Sequence, residues 1–242
     1  MTKKHILFIC SDKGGTGKSM LSRAIADFII RKQLEDDTQL VDGDGEVGQL
    51  LQFYKEHSVI SAQIIDAEKR DDFVDILKSD KAFIIVDLPA ASITHLHELE
   101  EEIGFFDLLD EHNYQLTFLN VISPFKASIR SVKAMIELAG DKAKYVVIKN
   151  RFFGNDEDFH LYEESRGKKT LKEHKGIELE LPALSTGLLA IIDANNLTFN
   201  CVVTDSKMKI AYQCRMKRWL QAVDVELLKL NIWPAFDKGV SS

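Results

Sequence analysis

Cysteine is scarce in this 242-residue chain, with Cys10, Cys201 and Cys214 the only three. They are too few and too scattered for a disulfide framework or a cysteine-based metal knuckle. Long apolar runs are also missing. The longer ones, such as Phe83 to Val86, are strand-sized and fall far short of the roughly 20 residues of a membrane span. The stretch leading from Met1 to His5 into Ser11-Asp12-Lys13 is too short for a secretory core and lacks a small-residue cleavage site, so no targeting segment and a cytoplasmic location are expected. Positive charge is in deficit: 31 Lys and Arg stand against 38 Asp and Glu, a net charge of −7. A chain that wraps nucleic acid with its whole surface is usually basic, so any such binding here has to come from a local patch. Internal repeats and low-complexity segments are absent from the sequence.

What is present is ordinary globular composition, 45% hydrophobic and 29% charged, enough for one sizeable core over residues 1–242. Strand-length apolar runs alternate with segments of helical period: His5 to Cys10, Thr38 to Val41, Ala82 to Val86, Leu116 to Ile122, Tyr145 to Ile148 and Glu178 to Leu181. This alternation predicts an α/β fold, a doubly wound and mostly parallel sheet in a three-layer α/β/α sandwich. Helices are expected over Ser19 to Arg31, Asp72 to Leu77 and Ile129 to Ala139, the last stopped by Gly140. The polar stretch from Arg151 to Gly176 reads as a long surface excursion without assured order. A long helix is expected from Lys207 to Leu230, with Ile210, Ala211, Cys214, Trp219, Val223, Leu227 and Leu228 near one face. Pro234 helps to close the structured region and Gly239 to Ser242 reads as a frayed tail. The division is a core over residues 5–182 and a helical C-terminal part over 185–233.

Between the first strand and the first helix lies Lys13-Gly14-Gly15-Thr16-Gly17-Lys18-Ser19. Binding a triphosphate requires several backbone N–H groups to converge on one anion, which glycines permit and a helix N-terminus reinforces. In this strand–loop–helix setting, Lys18 would reach the β- and γ-phosphates and the Ser19 hydroxyl would ligate Mg²⁺. Met20, next along the helix, is taken with them as a nucleotide contact. Two strands end in aspartate, giving Asp42-Gly43-Asp44 and Asp87-Leu88-Pro89, at the sheet edge where ligands gather. Asp87 suits a magnesium site, with Asp42 in support.

The loop departs from the usual pattern, with Asp12 at the first glycine position and Lys13 before the paired glycines. This resembles the deviant phosphate loop of the ParA/MinD family of partition and positioning ATPases. The resemblance implies an ATP-dependent homodimer in which Lys13 reaches the partner's phosphates, much as an arginine finger does. It implies that Asp44 orients the attacking water, and that a protein partner stimulates a slow ATP hydrolysis. Asn150, at a strand end, would meet the adenine edge, and Pro182 would flank the base. Family members often follow the Asp-x-Pro with a glycine that turns toward the γ-phosphate, where this chain has Ala90-Ala91-Ser92.

Lys207, Lys209, Arg215, Lys217 and Arg218 form a basic stretch without acidic residues up to Trp219. It is compatible with a solvated helix face, with nonspecific DNA through phosphate contacts, or, less readily, with an amphipathic membrane helix. His95 and His97 lack a third ligand of convincing spacing, and Glu98, Glu100, Glu101 and Glu102 read as solvated surface. The compact form also resembles the partition-like TraL group of conjugative plasmids. Competing readings are a dethiobiotin synthetase-like enzyme, a NifH/ArsA-type metal loader or pump, and a nucleotide-binding scaffold with little hydrolysis. Lys13 and the Asp42/Asp44 pair favour the switch over the ligase, and the lack of paired cysteines disfavours the loader.

Overall fold

The computed structural model describes residues 3–44 and 48–236. Seven strands form one sheet: β1 (Lys4–Cys10), β2 (Thr38–Asp42), β3 (Ile60–Ser61), β4 (Phe83–Asp87), β5 (Tyr114–Ile122), β6 (Ala143–Asn150) and β7 (Ile177–Leu181). Their order is β3-β2-β4-β1-β5-β6-β7, and every pairing is parallel. The six strands expected from apolar runs are therefore all present. The seventh, β3, has two exposed residues and no apolar run to announce it. The near-continuous burial of β1, β4 and β5 follows from helices covering both faces of the sheet.

The helices are α1 (Lys18–Arg31), α2 (Gln49–Tyr54), α3 (Arg70–Asp75), α4 (Ser92–Ile103), α5 (Phe105–Glu111), α6 (Lys126–Ala139), α7 (His160–Glu163), α8 (Arg166–Glu173), α9 (Thr186–Ala194), α10 (Phe199–Thr204) and α11 (Ile210–Leu228). Buried residues of α3 to α8 share one apolar cluster with Phe8, Val86 and Phe118 of the strands. Those of α1, α2, α9, α10 and α11 share another with Leu7, Ile85 and Val121. The alternation along β1, where Ile6 and Phe8 serve one layer and Leu7 and Ile9 the other, is the period of two that a strand imposes. On the second face Asp27 of α1 is fully buried. It accepts hydrogen bonds from Tyr54 Oη of α2 (2.7 Å) and from the Phe199 and Asn200 amides of α10 (2.8 and 3.3 Å). One carboxylate thus ties α2 and α10 to the helix that follows the glycine loop.

Two expectations need correction. The excursion over 151–176 is ordered as α7 and α8, because three of its apolar side chains, Phe159, Tyr162 and Leu171, are buried in the cluster they share with α6. Its charges pair with one another and with the flanking strands: Lys168 of α8 and Lys149 of β6 both meet Glu163 of α7 and Glu178 of β7. Helix α11 begins at Ile210, and its buried face is Met216, Trp219, Leu220, Val223 and Leu227, while Ile210, Ala211, Cys214 and Leu228 are exposed. Burial of Trp219 fixes that rotation. The tail at Gly239 to Ser242 lies outside the described residues. Among the described residues no helix is long and apolar enough to cross a membrane.

Candidate nucleotide site

The glycine loop leaves β1 at the middle of the sheet and delivers the chain into α1. Gly15 and Gly17 adopt φ of 75° and 103°, the region that side chains disfavour. A Cβ at Gly17 would also lie inside contact distance of the Asn150 amide nitrogen. Gly17 is the N-cap of α1 and no side chain caps that end, so the first-turn N–H groups are left for an anion. Thr16 Oγ1 donates to the Lys13 carbonyl at 3.4 Å, closing the loop on itself. Lys18 is buried, whereas Lys13 is exposed with its Nζ 5.0 Å from the centroid of the exposed Phe125 ring, at the N-terminus of α6.

A cavity of about 360 Å³ opens beside the loop and brings together Gly15, Gly17, Lys18, Ser19, Met20, Asn150 and Pro182. Its wall also contains Arg23, Gln49, Phe152, Phe153 and Asp193, none of which the sequence singled out. Phe152 and Phe153 pack edge to face, and their adjacency after the Asn150 strand end was the signal available for them. Asn150 does more than face the cavity: its Nδ2 donates to the Thr16 carbonyl at 2.8 Å and its Oδ1 accepts from the Phe152 amide at 3.0 Å. The loop carrying Pro182 is fixed from below, because Trp219 Nε1 of α11 donates to the Pro182 carbonyl at 2.8 Å.

The strand-end carboxylates divide their tasks. Asp42 and Asp87 are register partners on adjacent strands, and both are buried. Asp42 accepts from the Asp44 amide (3.1 Å) through Oδ1 and from the Leu51 amide (3.0 Å) through Oδ2. It therefore braces the backbone at Asp44 and in the first turn of α2, in a supporting role. Asp44 is exposed. Asp87 Oδ1 is buried without a hydrogen-bond partner, and burial pushes its carboxyl up to about 7. An unsatisfied, desolvated carboxylate at this place fits a cation or its water shell. Among the described residues no three His, Cys, Asp or Glu are placed so that they could hold a metal ion by themselves. A cation here would rest on Ser19, Asp87, phosphate and water, which is the manner of Mg²⁺. His95 and His97 instead join surface ion pairs with Glu98 and Glu101, and Glu98 also meets Arg70.

After Asp87 the chain turns at Ala91, whose φ of 60° and ψ of 20° are left-handed, immediately before α4. Within Ala90-Ala91-Ser92 an alanine therefore holds a backbone conformation that glycine adopts more readily. At the other end of the fold, Lys207, Lys209, Arg215, Lys217 and Arg218 are exposed, and none forms an ion pair with another described residue. The apolar side of α11 is committed to the core, which removes the amphipathic face that a membrane helix requires.

A parallel seven-stranded sheet with a glycine loop at its centre has known counterparts. No protein-family model matches the chain. The solved MinD cell division protein of Aquifex aeolicus superposes with a TM-score of 0.54, covering 96% of this chain and 98% of that one at 20% identity. McdA of Cyanothece, solved as an ATP complex, gives 0.53 over 96% and 98% at 12% identity. Protein MobD of Acidithiobacillus ferrooxidans is 20% identical over 220 residues, 89% of this chain and 93% of that protein. The fold is that of MinD and McdA. In this chain Gly14 to Ser19 lies between β1 and the first turn of α1, and Ala90-Ala91 lies on the loop following the β4 aspartate.

Left-handed backbone costs a non-glycine residue about 1–2 kcal/mol, while the glycine alternative loosens the unfolded chain by about 0.4–1 kcal/mol. Ala91→Gly is therefore expected to stabilise the fold by about 0.5–1 kcal/mol, read as a raised urea midpoint at unchanged slope. A lowered midpoint would contradict the strain assigned to Ala91.

Proposed function

We propose that this protein is a nucleotide-switched ATPase of the ParA/MinD type, which binds Mg²⁺–ATP in the cavity beside Gly14 to Ser19 and dimerises on doing so. The observation that carries this reading is the loop itself: two left-handed glycines, a buried Lys18 and an uncapped helix start, with a second lysine alongside. Lys18 and the α1 amides would hold the β- and γ-phosphates. Ser19 and Asp87 would hold Mg²⁺, which neutralises phosphate charge when bound. Asn150, Phe152 and Pro182 would enclose the base.

Lys13 lies outside the cavity wall and on the surface, which favours its action on another subunit's nucleotide over its own. Asp44, exposed on a turn whose backbone Asp42 pins, would orient the attacking water in the assembled dimer. Partition, positioning or conjugative transfer of a large cargo is the use that this design supports, with hydrolysis stimulated by a protein partner. Size measurement with ADP and with ATP plus Mg²⁺ tests the switch. The wild type should double in mass with ATP plus Mg²⁺ and not with ADP, Lys13→Ala should stay monomeric, and Asp44→Ala should remain a dimer because ATP persists. A monomer under all conditions would refute the switch.

The unpaired cations at 207–218 favour a polyanionic surface such as nonspecific DNA. Each phosphate contact releases counterions, so retention on DNA should fall by about 500-fold between 50 and 200 mM salt if all five cations form contacts. No retention at the lower salt would remove DNA from the proposal.

A further inference from the structure

One turn beyond Ser19 the cavity wall contains a charge pair that phosphate binding does not use. Arg23 is 2% exposed and lies between two rings, its guanidinium carbon 3.6 Å from the Phe53 centroid and 4.8 Å from that of Phe199. Those rings belong to α2 and α10, the helices that Asp27 ties to α1, so the clamp is built by the fold. A guanidinium held against two rings has little freedom to turn. Its NH1 donates to Asp193 Oδ1 at 3.1 Å and its NH2 to the Leu197 carbonyl at 3.5 Å, while its buried Nε has no partner.

The partner is not buried. The Asp193 side chain is 58% exposed against 3% for Arg23, and Arg23 engages only one of its oxygens. Asp193 thus presents Oδ2 as an acceptor from a fixed position in the same wall as Gly17, Ser19 and Pro182. An exposed ion pair with no further role would add little to stability. If phosphates occupy the glycine loop and the base lies by Phe152 and Pro182, the unit left to satisfy Asp193 is the sugar. Its vicinal hydroxyls are donors, and carboxylates recognise ribose in this way in other nucleotide folds.

We infer that Asp193, oriented by the clamped Arg23, accepts hydrogen bonds from the ribose hydroxyls and makes the cavity select ribonucleoside over deoxyribonucleoside triphosphates. Asp193 is the specificity-determining residue and Arg23 its positioning residue. The inference rests on the nucleotide reading above.

The test is equilibrium binding of ATP, 2′-deoxy-ATP and 3′-deoxy-ATP with Mg²⁺ to the full chain. The wild type should favour ATP over at least one deoxy analogue about tenfold, the worth of a hydrogen bond to a charged group. Asp193→Ala should erase that preference while leaving affinity for the disfavoured analogue unchanged, and Asp193→Asn, which keeps one acceptor, should fall between. Arg23→Lys should reduce the same ratio, which a merely structural loss would not move. A wild type indifferent to the sugar, or a preference that survives Asp193→Ala, would overturn the inference. Failure of the wild type to bind any of the three would instead overturn the nucleotide reading beneath it.

Discussion

The buried hydrogen bond from Asn150 Nδ2 to the Thr16 carbonyl, 2.8 Å long, joins the end of β6 to the loop that follows β1. It fits only because Gly17 has no side chain, since a Cβ there would meet the same amide nitrogen. The left-handed turn at Gly17 in turn starts α1, and the start of α1 sets where Lys18, Ser19 and the open first-turn amides stand. Loosening this bond would shift the side of the cavity built by Gly15 to Ser19 relative to the side carrying Phe152. The site is therefore a property of two strands held at a fixed offset, and the glycines are what permit the offset.

Around that tie the charges are arranged with little water to screen them. Asp87 is buried with one oxygen unbonded and its pKa is raised, first by burial and then by Asp42, against the opposing pull of Ser22 and Lys18. Burial raises the Asp42 carboxyl too, but both of its oxygens accept backbone amides, which oppose that rise. Two neighbouring carboxylates of one chemical type thus do different work, one bracing a turn and one left with capacity for a cation. Arg23 is the counterpart on the far side of α1, a buried cation made tolerable by two rings and one exposed carboxylate.

Local features were legible in the sequence. The glycine loop, the apolar strand runs and the aspartates at their ends each lie within a few consecutive residues, so spacing alone identified them. Features assembled from distant segments were not. Helix α2 has six residues, and its first turn depends on Asp42 from β2. The Arg23 clamp draws on α1, α2 and α10. Asn150 was legible as a strand-end amide, but its bond to Thr16, 134 positions away, was not. Composition misled over 151–176, because three buried side chains suffice to order a polar segment when its charges also pair. In α11 the apolar residues allowed more than one face, and only the packing of Trp219 under the Pro182 loop decides between them.

The central claim is that the loop from Lys13 to Ser19 holds a nucleotide's phosphates, and calorimetric titration of Mg²⁺–ATP into wild type and Lys18→Ala tests it most directly. The account predicts saturable binding by the wild type and an affinity lower by about 10–100-fold in a variant that still unfolds cooperatively, the worth of one charge-assisted contact to phosphate. Equal affinity in the two folded proteins would contradict it.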